Sequence, residues 1–190
     1  FVFTKAILQG PFDQNTGEML DALREKSLLP IEEPYTDLTT SPGFYPFVHV
    51  TSGSEEVNSS IFLVEGTDAI VDWVFLELRD KADPKIVLAT RAALIQRDGD
   101  IVAIDGSSPL SFSLTENNDV YISINHRSHL GILTATSVIL SESGTTIDFT
   151  ADTSLVYGNS NAVIVLSNGA YGLISGDFDG NGQVQNIDVN

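Results

Sequence analysis

Twelve consecutive residues near the C-terminus, Asp177 to Asp188, hold the chain's densest cluster of oxygen ligands. A hard divalent cation takes about 6–8 oxygens at roughly 2.3–2.6 Å, and alternate residues of a tight loop can supply them. Asp177, Asp179 and Asn181 stand at positions one, three and five of such a loop. Gly182 stands at six, where the chain must turn sharply without a Cβ. Gln183 offers its backbone carbonyl at seven, Gln185 acts through a water at nine, and Asp188 closes the shell at twelve. Val184 at eight is expected to pin the loop to the core. The expected cofactor is therefore Ca2+, with Asp177, Asp179, Asn181, Gln183 and Asp188 as ligands. The competing reading is an Asn/Asp/Gly-rich tail that binds nothing, and simultaneous agreement at these positions argues against it.

Other residue groups invite chemistry but have cheaper explanations. His126 and His129 stand beside Asn125 and Arg127 at a strand end, where two imidazoles could share a zinc. No third ligand of matching type is evident nearby, and His49 is far away in sequence. The preferred reading is that Asn125, Arg127 and one His fix a loop by hydrogen bonds and an ion pair. Asp72, Glu77 and Asp80 share one strand with Arg79, and paired carboxylates can hydrolyse glycosides. Exposed strand-end charges paired with Arg79 or Arg97 explain them more simply. Trp73 reads as core rather than as a sugar platform. Tyr121, following residues 116–119 at the start of a strand, reads as the corner tyrosine of a Greek-key sandwich. The sequence holds no G-x-S-x-G elbow, no H-E-x-x-H and no phosphate loop, so no catalytic residue is assigned.

The elements that must position these residues are mostly strands. Residues 1–8 are apolar and β-branched and end at a Gly10-Pro11 breaker. Residues 17–28 predict one short helix, with Met19, Leu20 and Leu23 at helical spacing, Asn15 or Thr16 as cap, and Pro30 as stop. Residues 31–46 predict a long irregular Pro-rich connection. Beyond Phe47 the text is short strands bounded by Ser, Asn, Asp and Gly: 47–51, 57–64, 68–79, 85–96, 101–104, 110–114, 120–126, 130–140, 146–149 and 161–166. The strand over 68–79 is apolar on both faces, with Val71, Trp73 and Phe75 on one and Val74, Leu76 and Leu78 on the other, so it belongs in the middle of a stack. Asp98-Gly99 predicts a hairpin. This spacing predicts an all-β chain folded as an immunoglobulin-like β-sandwich over 1–175, with the calcium loop as a separate unit at 176–190. The expected core is Ile70, Trp73, Phe75, Leu76, Leu94, Ile122, Ile124, Leu133 and Val163.

Composition bounds the function. In 190 residues, 26 Asp+Glu against 9 Lys+Arg give a formal net charge of −17. Such a surface repels nucleic acid and anionic lipid and suits divalent cations. With no Cys, disulfides and thiolate metal sites are excluded. No apolar run approaches the roughly 20 residues of a membrane helix. The chain opens at Phe1 without an initiator Met or signal peptide and stops at Asn190 where an exiting helix would begin, so a processed piece of a longer protein is expected.

Several runs resemble a C-terminal module of large secreted surface proteins of Bacteroidetes-type bacteria, of the hemagglutinin-like or adhesin-like kind. They are 8–12, 19–24, 70–80, 89–100, 108–110, 125–131 and the ending 176–186. Asp rather than Glu at position twelve resembles the dockerin variant of the EF-hand loop. The resemblance implies an exported, non-enzymatic structural or adhesive module, with dockerin-like calcium repeats. Here a single such loop is present, which departs from the paired repeats that cohesin binding generally uses. Self-association is expected if residues 1–8 add as a strand to a neighbouring copy, which would build filaments. The alternative is a carbohydrate-binding module that uses Phe44, Tyr45, Phe47, Tyr157 or Tyr171. The location expected is secreted or cell-surface, with glycans as possible ligands and no nucleic-acid or membrane partner.

Overall fold

A computed structural model describes residues 1–38, 47–114 and 118–189. The chain is mostly β-sheet with few and short helices, as the all-β reading expects. The strands are β1 (Val2–Lys5), β2 (Ile70–Asp80), β3 (Val87–Gln96), β4 (Asp100–Val102), β5 (Asp119–His126), β6 (His129–Leu133), β7 (Val138–Ile139), β8 (Thr145–Asp148), β9 (Ile164–Val165) and β10 (Tyr171–Gly172). The helices are α1 (Ala22–Glu25) and α2 (Tyr35–Leu38).

Hydrogen bonding runs through one eight-stranded sheet in the order β6-β5-β2-β3-β4-β1-β8, with β7 also on β5, beside a two-stranded β9-β10 ribbon. Neighbours are antiparallel except β1 and β8, which run parallel. The sheet curls, and one stretch of chain links β6, at one end, to the residues just past β1, next to the other end. Leu173 bridges Leu8 beyond the end of β1, and Ser175 bridges His129 of β6. Leu173 N donates to Ile7 O at 2.7 Å, and Leu130 N donates to Ile174 O at 2.8 Å. Strand pairing runs unbroken from β6 to β8, and 173–176 adds a further link between β6 and the chain just past β1.

The doubly apolar strand lies at the centre, as expected. β2 is flanked by β3 and β5, and its residues 70–78 are all buried. Val74, Leu76 and Leu78 join Ile95, Ile122, Ile124 and Phe149 on the face enclosed by the curl. Trp73, Phe75, Ala92, Leu94 and Val102 form a second cluster on the opposite face, covered by Leu29, Tyr35, Phe47 and Val57. A register shift between Ile70 and Asp72 moves Val71 to the enclosed face, away from the Trp73 and Phe75 face that strict alternation assigns it. The expected core residues are buried except Leu133, which is half-buried while its neighbour Ile132 takes the interior place.

Elsewhere local pattern yields to tertiary contact. The helix expected over 17–28 is confined to α1, because Met19 is drawn into the core. Its backbone N–H donates to Arg97 O at 2.8 Å, its Sδ accepts from Leu8 N at 3.2 Å, and it bridges Phe12. Asn15 and Thr16 cap no helix; both hydrogen-bond Asp13 inside a tight turn. Within the loop expected over 31–46, residues 35–38 form α2 and residues 39–46 lie outside the described residues. Residues 47–51 and 57–64 do not form strands; Asn58 caps a 3-10 turn over Ser59–Leu63 by accepting from Ser60 N at 3.0 Å. The strand expected over 130–140 is split into β6 and β7. The Asp98-Gly99 hairpin forms as expected, with Gly99 at φ +97° and its N–H donating to Gln96 O at 2.9 Å.

Candidate metal loop and the histidine pair beside it

The loop begins directly after the stretch that links β6 to the chain past β1. Gly176 N donates to Ser128 O at 3.0 Å, and from there the chain folds back on itself. The carboxylates of Asp177, Asp179 and Asp188 come together, each offering an oxygen within 4.8 Å of the others. Backbone amides orient them: Gly182 N donates to Asp177 Oδ2 at 3.0 Å, Asn181 N to Asp179 Oδ1 at 3.1 Å, and Gln185 N to Asp188 Oδ2 at 2.6 Å. Phe178 N also donates to Asp188 Oδ1 at 3.2 Å. Asp177 is only 2% exposed, and its Oδ1 is buried with no hydrogen-bond partner. A buried, unpaired carboxylate oxygen is costly, and a cation removes that cost. Burial, together with Asp179 and Asp188, pushes the Asp177 carboxyl above its ordinary value despite the Gly182 amide.

Of the other expected ligands, Asn181 stands next to Asp179, its Nδ2 donating to Asp179 Oδ2 at 2.7 Å. Gln183 lies exposed on the turn, its N–H donating to Asn181 Oδ1 at 2.9 Å. The side chain of Val184 does not pin the loop to the core. It is 50% exposed, and it lies over Gly176, where a Cβ would stand 2.9 Å from its Cγ1. The loop therefore closes on its own first residues. Its donor set is carboxylate and carbonyl oxygen only, which suits Ca2+ better than a borderline transition metal.

A cleft of about 330 Å³ separates this loop from the strand end that carries the histidines, with Asp177, Gly180, Gly182, His126, His129 and Tyr157 among its lining. Here the structure extends the loop-fixing reading of the His pair. The sequence leaves Asp72 as an exposed strand-end charge, but it is buried, and its Oδ2 lies 2.7 Å from Arg127 Nη2 and 3.2 Å from His126 Nε2. Its Oδ1 accepts from Trp73 N at 2.8 Å. The β-bulge next to Asp72 aims it there. Burial alone would raise the Asp72 carboxyl, yet His126 and Arg127 outweigh it and hold it below the ordinary value.

The donors assign the protons on both rings. His129 Nε2 accepts from Gly10 N at 3.1 Å, so the proton of neutral His129 sits on Nδ1 and points at His126 Nδ1, 3.0 Å away. His126 Nδ1, which also accepts from Ser128 N at 3.2 Å, carries a lone pair, and His126 Nε2–H donates to Asp72. Every ring nitrogen is thereby engaged inside the chain, and none is left facing the cleft as a base. Burial, then the proximity of His126, lowers the His129 pKa to about 3. Glu77 likewise belongs to an internal pair: its Oε2 accepts from Arg79 Nη2 at 2.6 Å and from Asn125 Nδ2 at 3.1 Å, and the residue is buried rather than exposed. Arg97 turns instead to Glu18, at 3.2 Å.

Trp73 is fully buried, with Nε1 donating to Pro30 O at 3.0 Å, which matches its reading as core. Tyr121 is half-buried opposite Arg79 of β2; residues 116 and 117 of its expected corner turn lie outside the described residues. Phe44 and Tyr45 also lie outside them. Phe47 packs against Tyr35 and Phe75, and Tyr171 is half-buried in the β9-β10 ribbon, whereas Tyr157 is 70% exposed.

A second cluster has no counterpart in the sequence reading. Glu33, His49 and Glu55 each offer a ligand atom within 4.8 Å of the others. Glu33 precedes α2 and Glu55 follows a turn at Gly53, so no local spacing announces the group; the contact arises only where the two irregular segments cross, Glu33 N donating to Glu55 O at 2.9 Å. No protein-family model matches this chain, and neither a curated protein nor a solved structure does.

Proposed function

We propose that this chain is a non-enzymatic structural module of a secreted or cell-surface bacterial protein, kept closed by calcium at its C-terminal loop. The observation that carries the reading is the buried Asp177 Oδ1, unpartnered and gathered with the carboxylates of Asp179 and Asp188. The twelve-residue spacing supports Ca2+ as the ion, with Asp177, Asp179 and Asp188 as its principal ligands and Asn181 beside them. The loop follows directly on the stretch that links β6 to the chain past β1, so an ion held at Asp177 would keep 173–176 seated against residues 7–9 and β6. The structural rather than catalytic reading draws support from the histidine pair, whose nitrogens are all committed to internal hydrogen bonds.

The dockerin-like character of the loop, an immunoglobulin-like arrangement of the strands and a place at the cell surface belong to the same proposal. They draw support from the runs that resemble surface modules and from the net charge of −17. Among the described residues no helix is long and apolar enough to cross a membrane. Filament assembly by strand addition through residues 1–8 draws no support from the position of β1, which has β4 on one edge and β8 on the other within its own chain. For the alternative, a carbohydrate-binding module, the supporting feature is Tyr157, exposed beside the cleft. Calorimetric titration with Ca2+ after chelator treatment tests the main reading. One bound ion per chain, lost in Asp177→Ala, is expected; no binding at millimolar Ca2+ would overturn it.

A further inference from the structure

We propose that Glu33, His49 and Glu55 form a second metal site, separate from the C-terminal loop, that takes a borderline transition dication, foremost Zn2+. The three residues are a mixed nitrogen and carboxylate set, each with a ligand atom within 4.8 Å of the others. One imidazole with two carboxylates favours zinc-type ions over Ca2+, and three protein ligands leave a coordination position open.

The hydrogen bonding around His49 points independently to a ligand. Thr36 Oγ1 makes a short contact with Glu33 Oε1, and a carboxylate can only accept there, so the hydroxyl proton belongs to that bond. Thr36 Oγ1 also lies 3.2 Å from His49 Nε2, and with its own proton committed it must accept; the ring proton is therefore on Nε2. His49 Nδ1 is left with a bare lone pair, and that atom is buried with no hydrogen-bond partner. A satisfied structural histidine does not strand a nitrogen in this way. A ligating histidine has one nitrogen donating to an oriented oxygen and the other bare. Here Nε2, which also lies 3.7 Å from Glu33 Oε1, is the donor, and Nδ1, on the Gly53 side, is the bare one.

The neighbouring backbone completes the arrangement. A Cβ on Gly53 would stand 3.4 Å from His49 Nδ1, so this side of the ring faces the turn that carries Glu55. Gly53 N donates to Glu55 Oε2 at 3.1 Å and orients that carboxylate. Glu33 is held by Tyr35 N and Thr36 N on Oε2, at 2.7 and 3.2 Å. An acidic pocket of about 260 Å³, lined by Glu32, Glu33, Asp37 and Glu56, adjoins Glu33, and its charge favours a dication nearby. The ligand atoms must draw together by roughly an ångström to reach zinc–ligand lengths, and Glu55, on a surface turn, is the one placed to move.

The test is a Zn2+ titration of the whole chain with the C-terminal loop already saturated by Ca2+. One Zn2+ per chain is expected, with affinity reduced at least tenfold in both His49→Ala and Glu55→Gln and unchanged in Asp177→Asn. Glu55 lies on a surface turn, so Glu55→Gln guards against a loss that reflects unfolding of His49→Ala; melting in EDTA checks both variants. Co2+ in place of Zn2+ should give a visible absorption band that His49→Ala abolishes. Absence of Zn2+ binding, or binding that persists in His49→Ala, would overturn the proposal. A loss confined to Asp177→Asn would overturn it too, by assigning the zinc to the loop. Failure of the Ca2+ titration alone would leave this site standing, because the two sites share no residue.

Discussion

His126 and His129 meet Nδ1 to Nδ1 at 3.0 Å, with Asp72 behind the first ring and Gly10 N behind the second. The chain of donors runs from Gly10 through both imidazoles to a carboxylate that Arg127 also holds. A second proton on His126 Nδ1 would point at the Nδ1–H of His129 and at Ser128 N–H. The pair is thus wired as a link between the turn at Gly10, the β5–β6 turn and β2.

That wiring makes stability depend on pH. In the folded chain His129 titrates at about 3, against 6.5 when unfolded, chiefly through burial. Between those values the unfolded chain binds a proton that the folded chain refuses. The His129 contribution is therefore complete above pH 6.5 and is lost as pH falls towards 3. Wild type should lose about 1.4 kcal/mol per pH unit more than His129→Gln across that window. Urea midpoints at pH 7, 6, 5 and 4.5 check it; parallel curves would refute it. The depressed Asp72 carboxyl adds its own loss only below its unfolded value of 3.8.

The calcium loop should respond to one substitution with opposite signs in two buffers. In EDTA, Asp177→Asn removes a buried charge that Asp179 and Asp188 disfavour, so the variant should melt at or above wild type. With millimolar Ca2+, wild type should gain about 2.7 kcal/mol at a hundredfold excess over Kd, and Asp177→Asn should gain nothing. Asn186→Ala, at an exposed position, should keep most of the gain. Melting curves of the three proteins in both buffers measure this. Equal wild-type melting temperatures with and without calcium would remove the ion from the account of stability.

The single tryptophan reports on the outer face of the sheet. Trp73 is fully buried and bonded to Pro30 O at 3.0 Å, so its emission should be blue-shifted and nearly insensitive to acrylamide. Trp73→Phe should cost about 1–3 kcal/mol, from lost volume and a stranded Pro30 carbonyl. Urea unfolding followed by circular dichroism gives the number.

Gly99 should tolerate no side chain. It sits at φ +97°, and a Cβ there would lie 2.5 Å from Ala6 O, a backbone atom that cannot swing aside. Gly99→Ala should destabilise by about 2 kcal/mol or more, since strain and clash add. The control is Gly169→Ala, which has a similar φ of +85° and shares the strain but has nothing within 4 Å, so the difference between the two isolates the clash with Ala6 O.

What the sequence determined by itself is what depends on neighbours along the chain. The carboxylates of Asp177, Asp179 and Asp188 are brought together by a loop of twelve residues, and Gly182 and the Asp98-Gly99 turn act through their own backbone angles, so their pattern is readable in order. The doubly apolar run through Trp73 and Leu76 likewise announces a central strand, because burial on both faces leaves no polar alternation. Only the tertiary structure decided where distant segments cross. It drew Met19 out of a helix and into the core, turned Val71 across the sheet through a bulge, and set Asp72 against His126, 54 residues away. It linked β6 to the chain past β1 through 173–176 and brought Glu33 to His49 and Glu55. The physical reason is common to all of these: a buried charge or a sheet edge takes whichever partner the folded chain delivers, and sequence spacing carries no record of that delivery.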